Sequence, residues 1–216
     1  MKNCILFFFI TMMALTAQGQ MKKGNVMIGA STNLNLLGAG TNGEYLSLGF
    51  STVKYKDGPD ETDKLLSLNL YPKVGYFIID NLAVGLDVNI GFSSQKDGED
   101  DSKSTNSVIG AGPFVRYYLS SGRIKPFLEV NSLFGSVKSK FEFDDEELEI
   151  KSNLRSIGGG VGIAIPVGDK FCFDGLLSYT NYALNTDDVS LLTSDFTINS
   201  IGLKLGFTVF LGRSSE

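Results

Sequence analysis

The sequence predicts an all-β fold, an eight-stranded antiparallel up-and-down transmembrane β-barrel. Three observations predict it. Apolar and polar residues alternate along eight segments, the connections between those segments alternate short and long, and glycine (25 residues) gathers on the polar face of the segments. The alternation is clearest where Leu82, Val84, Leu86, Val88, Ile90 and Phe92 interleave with Ala83, Gly85, Asp87, Asn89 and Gly91. Successive strand side chains point to opposite faces, so a period of two marks a strand with two different environments.

The chain opens with Lys2 and an apolar run from Ile5 to Leu15, followed by the small residues Ala17 and Gly19. That is the pattern of a signal peptide, residues 1–19, cleaved before Gln20. The run is shorter than the roughly 20 apolar residues a spanning helix needs. Cys4 precedes the run, so it is not placed as a lipoprotein anchor. Residues 20–216 then read as one barrel domain, with no linker or second domain.

The eight expected strands are 25–37, 65–79, 82–94, 105–119, 124–140, 152–166, 171–184 and 196–212. Tight turns are expected at Asp80-Asn81, Ser120 to Arg123 and Val167 to Lys170, where Asn, Asp, Gly and Ser supply turn geometry. The other four connections, 38–64, 95–104, 141–151 and 185–195, are longer and polar. Outer-membrane barrels show this asymmetry, with short periplasmic turns and longer extracellular loops. Segment 44–55 also alternates and is read as a hairpin extension beyond the membrane, since counting it as a spanning strand would make nine.

All strand charges are expected on one face. The other face carries, among others, Ile28, Leu34, Leu66, Leu68, Val74, Tyr76, Ile109, Val115, Leu128, Val130, Phe134, Ile157, Val161, Ile163, Phe173, Leu177, Ile201, Leu205 and Phe207. The polar face carries Lys73, Asp87, Arg116, Lys125, Glu129, Asp174 and Lys204. A Lys or Arg facing lipid at the midplane costs about 2–4 kcal/mol. The charges therefore belong inside, where four cations and three anions form a paired lumen network and the lumen is plugged. A soluble lipocalin-like barrel would show the same alternation with its apolar face inward. Against it stand the polar-face glycines, which leave room for large inward side chains in a narrow lumen. Aromatics near strand ends (Tyr76-Phe77, Tyr117-Tyr118, Phe171, Phe173, Phe207) also fit interface girdles.

Composition excludes several function classes. The chain has no histidine, so the serine–histidine and aspartate–histidine hydrolytic plans are closed to it. Glu129 and Asp174 remain as a carboxylate pair, better read as structural. The expected mature chain keeps one cysteine, Cys172, read as a packing residue, so neither a disulfide nor the usual zinc sets can form. A net charge of −5, with acidic clusters, disfavours nucleic acid. Gly158-Gly159-Gly160-Val161-Gly162 lacks the ending of a phosphate loop and reads as strand glycines. The acidic stretches 97–101 and 144–149 lack calcium-loop spacing and read as solvated, self-repelling loops. No cofactor and no metal are expected.

Three segments carry a family resemblance: LSLNLYPKVGYFIIDNLAVGLDVNIGFS (66–93), GAGPFVRYYLSSGRIKPFLEV (110–130) and SIGGGVGIAIPVGDKFCFDGLLSY (156–179). Together they resemble the small outer-membrane β-barrel proteins of Bacteroidetes-type bacteria, related loosely to the OmpA, OmpX and OmpW type barrels. The resemblance implies an eight-stranded barrel in the bacterial outer membrane, in contact with outer-membrane lipid and lipopolysaccharide, and monomeric. It also implies docking to the barrel-assembly machinery through the C-terminal strand. Two frames resemble the assembly signal: Ser200, Gly202, Leu205, Phe207 and Lys204, Gly206, Val209, Leu211. The usual terminal aromatic is missing. The function expected is a structural or surface-interaction role, not an enzymatic one. The alternative is a small channel for apolar or small solutes, with Phe114, Phe127 and Leu133 lining a greasy path.

Overall fold

The computed structural model describes residues 21–37, 49–54, 62–96, 103–119, 124–143, 146–186 and 196–212. The expected leader, the turn at 120–123 and the acidic cluster at 97–101 lie outside them. Nine strands follow in order: β1 Val26–Leu37, β2 Gly49–Lys54, β3 Thr62–Ile79, β4 Leu82–Lys96, β5 Lys103–Tyr118, β6 Lys125–Phe143, β7 Glu146–Val167, β8 Phe171–Thr186 and β9 Phe196–Leu211. Eight of them close into an antiparallel barrel, because β1 pairs with β9 on one side and β3 on the other. The ninth, β2, pairs only with the outer end of β3, from Gly49↔Ser67 to Lys54↔Thr62. It extends the wall without widening it, as the strand count expects.

Closure follows from lipid chemistry. No water reaches the bilayer core, so every peptide N–H and C=O there needs a partner in the wall. The seam between β1 and β3 runs from Val26↔Tyr76 to Ser31↔Tyr71. Just above it the Thr32 hydroxyl donates to the Asn69 carbonyl at 2.8 Å and carries the contact one step further. The β5–β6 ladder passes from Ala111↔Phe134 to Phe114↔Asn131 around Pro113, which has no N–H to donate. At the turn after β3, Asn81 takes a positive φ of 67°, and Gly168 does the same at 71° after β7. Asn and Gly tolerate that region.

The outer wall is apolar. Leu86, Ile90, Ile109, Val130, Phe134, Ile157, Val161, Phe173, Leu205 and Phe207 all face out and are exposed. The side chains of Leu34 and Leu66, expected on this face, lie outside those described. The apolar belt runs Leu82 to Phe92 on β4, Ile157 to Val167 on β7 and Ile201 to Leu211 on β9. Each stretch fits the roughly 9–11 residues a tilted spanning strand needs. Aromatics split at the end that carries the tight turns. Tyr76, Tyr117, Phe173 and Phe207 point outward as a girdle, while Phe77, Tyr118 and Phe210 turn inward.

Two expectations need correction. The stretch 141–151 is not a loop: β6 and β7 continue as a ladder to Phe143↔Glu146. Glu147 and Glu149 there are paired, because Lys140 meets Glu147 at 2.5 Å and Lys138 meets Glu149 at 2.8 Å, while Asp144 and Asp145 lie outside the described residues. The hydrogen bond from Lys138 holds the Glu149 carboxyl below its ordinary range. The alternation continues past the membrane as Lys against Glu instead of apolar against polar, so an apolar period ends before the strand does. The second correction concerns the uncharged face. Lys138, Lys140 and Arg155 share the parity of the outward residues, and Arg155 is exposed there. They lie beyond the apolar belt, so the outward face avoids charge only within the bilayer.

An arginine in place of Leu86, at mid-belt, should lower stability by about 2–4 kcal/mol, against about 0–1 kcal/mol for Ser94→Arg above the belt. Urea unfolding of barrels refolded into lipid vesicles measures both; equal losses would contradict the placement of the bilayer.

Candidate functional site

The chemistry-bearing residues meet inside the barrel. Lys73 on β3 stands opposite Asp87 on β4, and Arg116 on β5 opposite Glu129 on β6. Asp174 comes from β8 across the lumen. Together they form one chain of alternating charge. Asp87 lies 3.3 Å from Lys73, Lys73 is 2.9 Å from Glu129, and Arg116 is 2.6 Å from both Glu129 and Asp174. Arg116 donates to Glu129 through Nε and to Asp174 through Nη1. The end carboxylates are also held by neutral donors: the Thr208 hydroxyl reaches Asp174 at 2.7 Å and the Asn131 amide reaches Asp87 at 3.3 Å. Lys73, Asp87, Arg116 and Glu129 are all buried.

Two sequence-expected members stand apart. Lys204 is buried, but its ammonium lies 4.7 Å from the Tyr71 ring centre and makes no ion pair among the described residues. Lys125 is buried nearer the end with the tight turns, beside Cys172, also without an ion pair among the described residues. Of the seven expected members, five form the chain of ion pairs, and Lys125 and Lys204 lie outside it among the described residues. Parity places a side chain in the lumen, but pairing also needs equal height, and Lys125 enters four residues below Glu129 on its strand.

Aromatic rings support the chain from below. Arg116 lies 4.1 Å from the Phe127 ring centre and Lys73 lies 4.8 Å from that of Phe114. Such contacts strengthen when desolvated. Room for these rings comes from glycine. A Cβ at Gly85 would approach the Phe114 ring to 2.7 Å, and one at Gly162 would strike the Phe127 ring. Beneath lies an apolar floor of Met21, Met27, Phe77, Phe114, Tyr118, Phe127, Cys172 and Phe210. Phe77 stacks on Tyr118 at 6.1 Å between ring centres, and Tyr118 meets Phe127 at a tilt, 5.6 Å away. Met21 is held there by its carbonyl, which accepts from the Asn81 N–H at 2.8 Å, and by the Lys22–Asp80 ion pair beside it. The hydrogen bond from Lys22 holds the Asp80 carboxyl below its ordinary range.

Above the chain come Asn33, Asn69, Asn89, Ser178 and Thr180, all buried. A second apolar cluster of Val108, Leu133, Val137, Leu154, Tyr182 and Leu184 follows toward the outer end. The lumen is thus layered as apolar floor, ion chain, polar layer and apolar lid. A gap beside the chain, lined by Ser31, Lys73, Arg116, Asp174, Lys204 and Thr208, has room for about one water molecule. The floor, the Tyr71 ring over Lys204 and the outward Arg155 are features sequence reasoning missed. Only Arg155 had a signal, its shared parity with Ile157.

A family model described as outer membrane protein beta-barrel domain matches residues 7–214. The chain belongs to that family. Membership places this barrel-domain protein in the outer membrane, its apolar wall against lipid. Among solved structures it is similar to the outer membrane protein OprG from Pseudomonas aeruginosa, with 15% identity over 89% of this chain and 98% of that one, at a TM-score of 0.47. A major outer membrane protein from Thermus thermophilus shares 13% identity over 87% and 99%, also at 0.47. Neisserial surface protein A shares 14% over 86% and 95%, at 0.43. No curated protein matches the chain.

Removing one member of a buried ion pair leaves its partner uncompensated, at a cost of about 3–5 kcal/mol. Glu129→Gln should show that loss, since Glu129 serves both Lys73 and Arg116. Lys204→Met, which strands no carboxylate, should show clearly less. The check is urea unfolding in vesicles. Similar losses at the two sites would mean the chain is no special centre of stability.

Proposed function

We propose that the protein, freed of residues 1–19, is a closed outer-membrane barrel with a structural or surface-interaction role, its outer hairpins facing the cell exterior. The ion chain carries this reading: Asp87, Lys73, Glu129, Arg116 and Asp174 span the lumen from β4 to β8 with contacts of 2.6–3.3 Å. A solute would have to break several buried ion pairs to pass. The apolar floor and lid add two further closures. The greasy-path alternative finds little support, because Phe114 and Phe127 are spent on packing against Lys73 and Arg116. Catalysis is not part of the reading either. The chain has no histidine, and the carboxylates Glu129 and Asp174 are both engaged by Arg116.

Planar-bilayer recording tests this directly. Protein whose folded state is verified by faster migration on unheated gels should give no steady single-channel current. Large, reproducible open levels would overturn the reading.

A further inference from the structure

The chain of ion pairs does not balance its own charge. Asp87, Glu129 and Asp174 share only Lys73 and Arg116, so three carboxylates meet two cations. Lys204 is a buried cation beside them that makes no ion pair among the described residues. The Tyr71 ring, 4.7 Å from its ammonium, covers one side of it. An ammonium carries three donors, so the ring leaves some of them to be met elsewhere. A buried charge is costly until it is paired and hydrogen-bonded.

Asp174 offers the matching acceptor. Arg116 and Thr208 both donate to its Oδ2, at 2.6 and 2.7 Å. Its buried Oδ1 accepts no hydrogen bond among the described residues. On the β8–β9 ladder Asp174 stands opposite Gly206 and Leu176 opposite Lys204, so Asp174 and Lys204 are diagonal neighbours. Diagonal positions lie about 7–8 Å apart, within reach of long side chains. Gly206 puts no side chain between them. The gap that borders Lys204, Asp174 and Gly206, with the Ser31 and Thr208 hydroxyls at its edge, has room for about one water molecule. Lys73 and Arg116 line it too, but both are already held by carboxylates.

We propose that this gap is a binding site for a single water molecule, which accepts from the Lys204 ammonium and donates to Asp174 Oδ1. The chemistry of the lining selects water, because one side donates and the other accepts. A halide would meet the Asp174 carboxylate, and a metal cation would meet the Lys204 ammonium. Through the water Lys204 becomes the sixth member of the chain, which then holds three cations and three carboxylates and reaches β9. The site stands whether or not the lumen conducts.

A crystal structure of the mature wild-type protein that resolves internal waters tests it. One water should lie within about 3.2 Å of both Lys204 Nζ and Asp174 Oδ1. A direct contact between the two side chains, an ion in the gap or no density there would overturn the proposal. Urea unfolding in vesicles gives a second test. Lys204→Met should lower the folding equilibrium constant about tenfold, the worth of one charge-assisted hydrogen bond. Asp174→Asn should then cost severalfold less in the Lys204→Met background than in wild type, while the cost of Asp87→Asn changes far less. Equal coupling of Lys204 to Asp87 and Asp174 is what diffuse attraction without a bridge would give, and it would overturn the proposal. Should Lys204→Met not fold by gel mobility, the wild-type crystal structure alone decides.

Discussion

Everything in this barrel follows from the absence of water around its wall. Backbone polar groups in hydrocarbon must find partners in the sheet, so the strands have to close on themselves. Here β1 does this by pairing with both β9 and β3. Closing after eight strands leaves an interior only wide enough for side chains to fill. Every charge kept off the lipid face is thereby confined with the others. The ion chain is the consequence: five groups from five strands, arranged so that each cation sits between two carboxylates.

Such a chain needs both charge balance and space. Burying a charge is tolerable only when it is paired and hydrogen-bonded. Arg116 meets this with two carboxylates and the face of Phe127. Glu129 meets it with Lys73 and Arg116. The space comes from strand positions without side chains, Gly85 beside Phe114 and Gly162 beside Phe127. In a solvent-facing strand these glycines would only weaken the sheet. In this lumen they are what lets a phenylalanine and an arginine occupy one cross-section.

Much of this was legible in the chain. A period of two assigns each side chain to wall or lumen, so the inward placement of Lys73, Asp87, Arg116, Glu129 and Asp174 could be read residue by residue. What parity does not carry is height. Lys204 shares the lumen with Glu129 yet rests over Tyr71, and Lys125 sits near the floor beside Cys172. Strand tilt and stagger decide such neighbours, and neither is written in any one segment. Strand ends failed for a related reason. Beyond the bilayer the contrast that marks a strand changes from apolar against polar to lysine against glutamate, as at Lys140 and Glu147.

The sequence by itself determined the strand periodicity, the apolar belt and which charges avoid lipid, because each is a local contrast between neighbours along the chain. Tertiary structure alone decided that Arg116 joins Glu129 to Asp174, that Met21 helps floor the barrel, and that Arg155 stands just above the belt beside Phe134. Those facts depend on the register between strands far apart in sequence, which is set when the sheet closes and every strand takes its height from its neighbours.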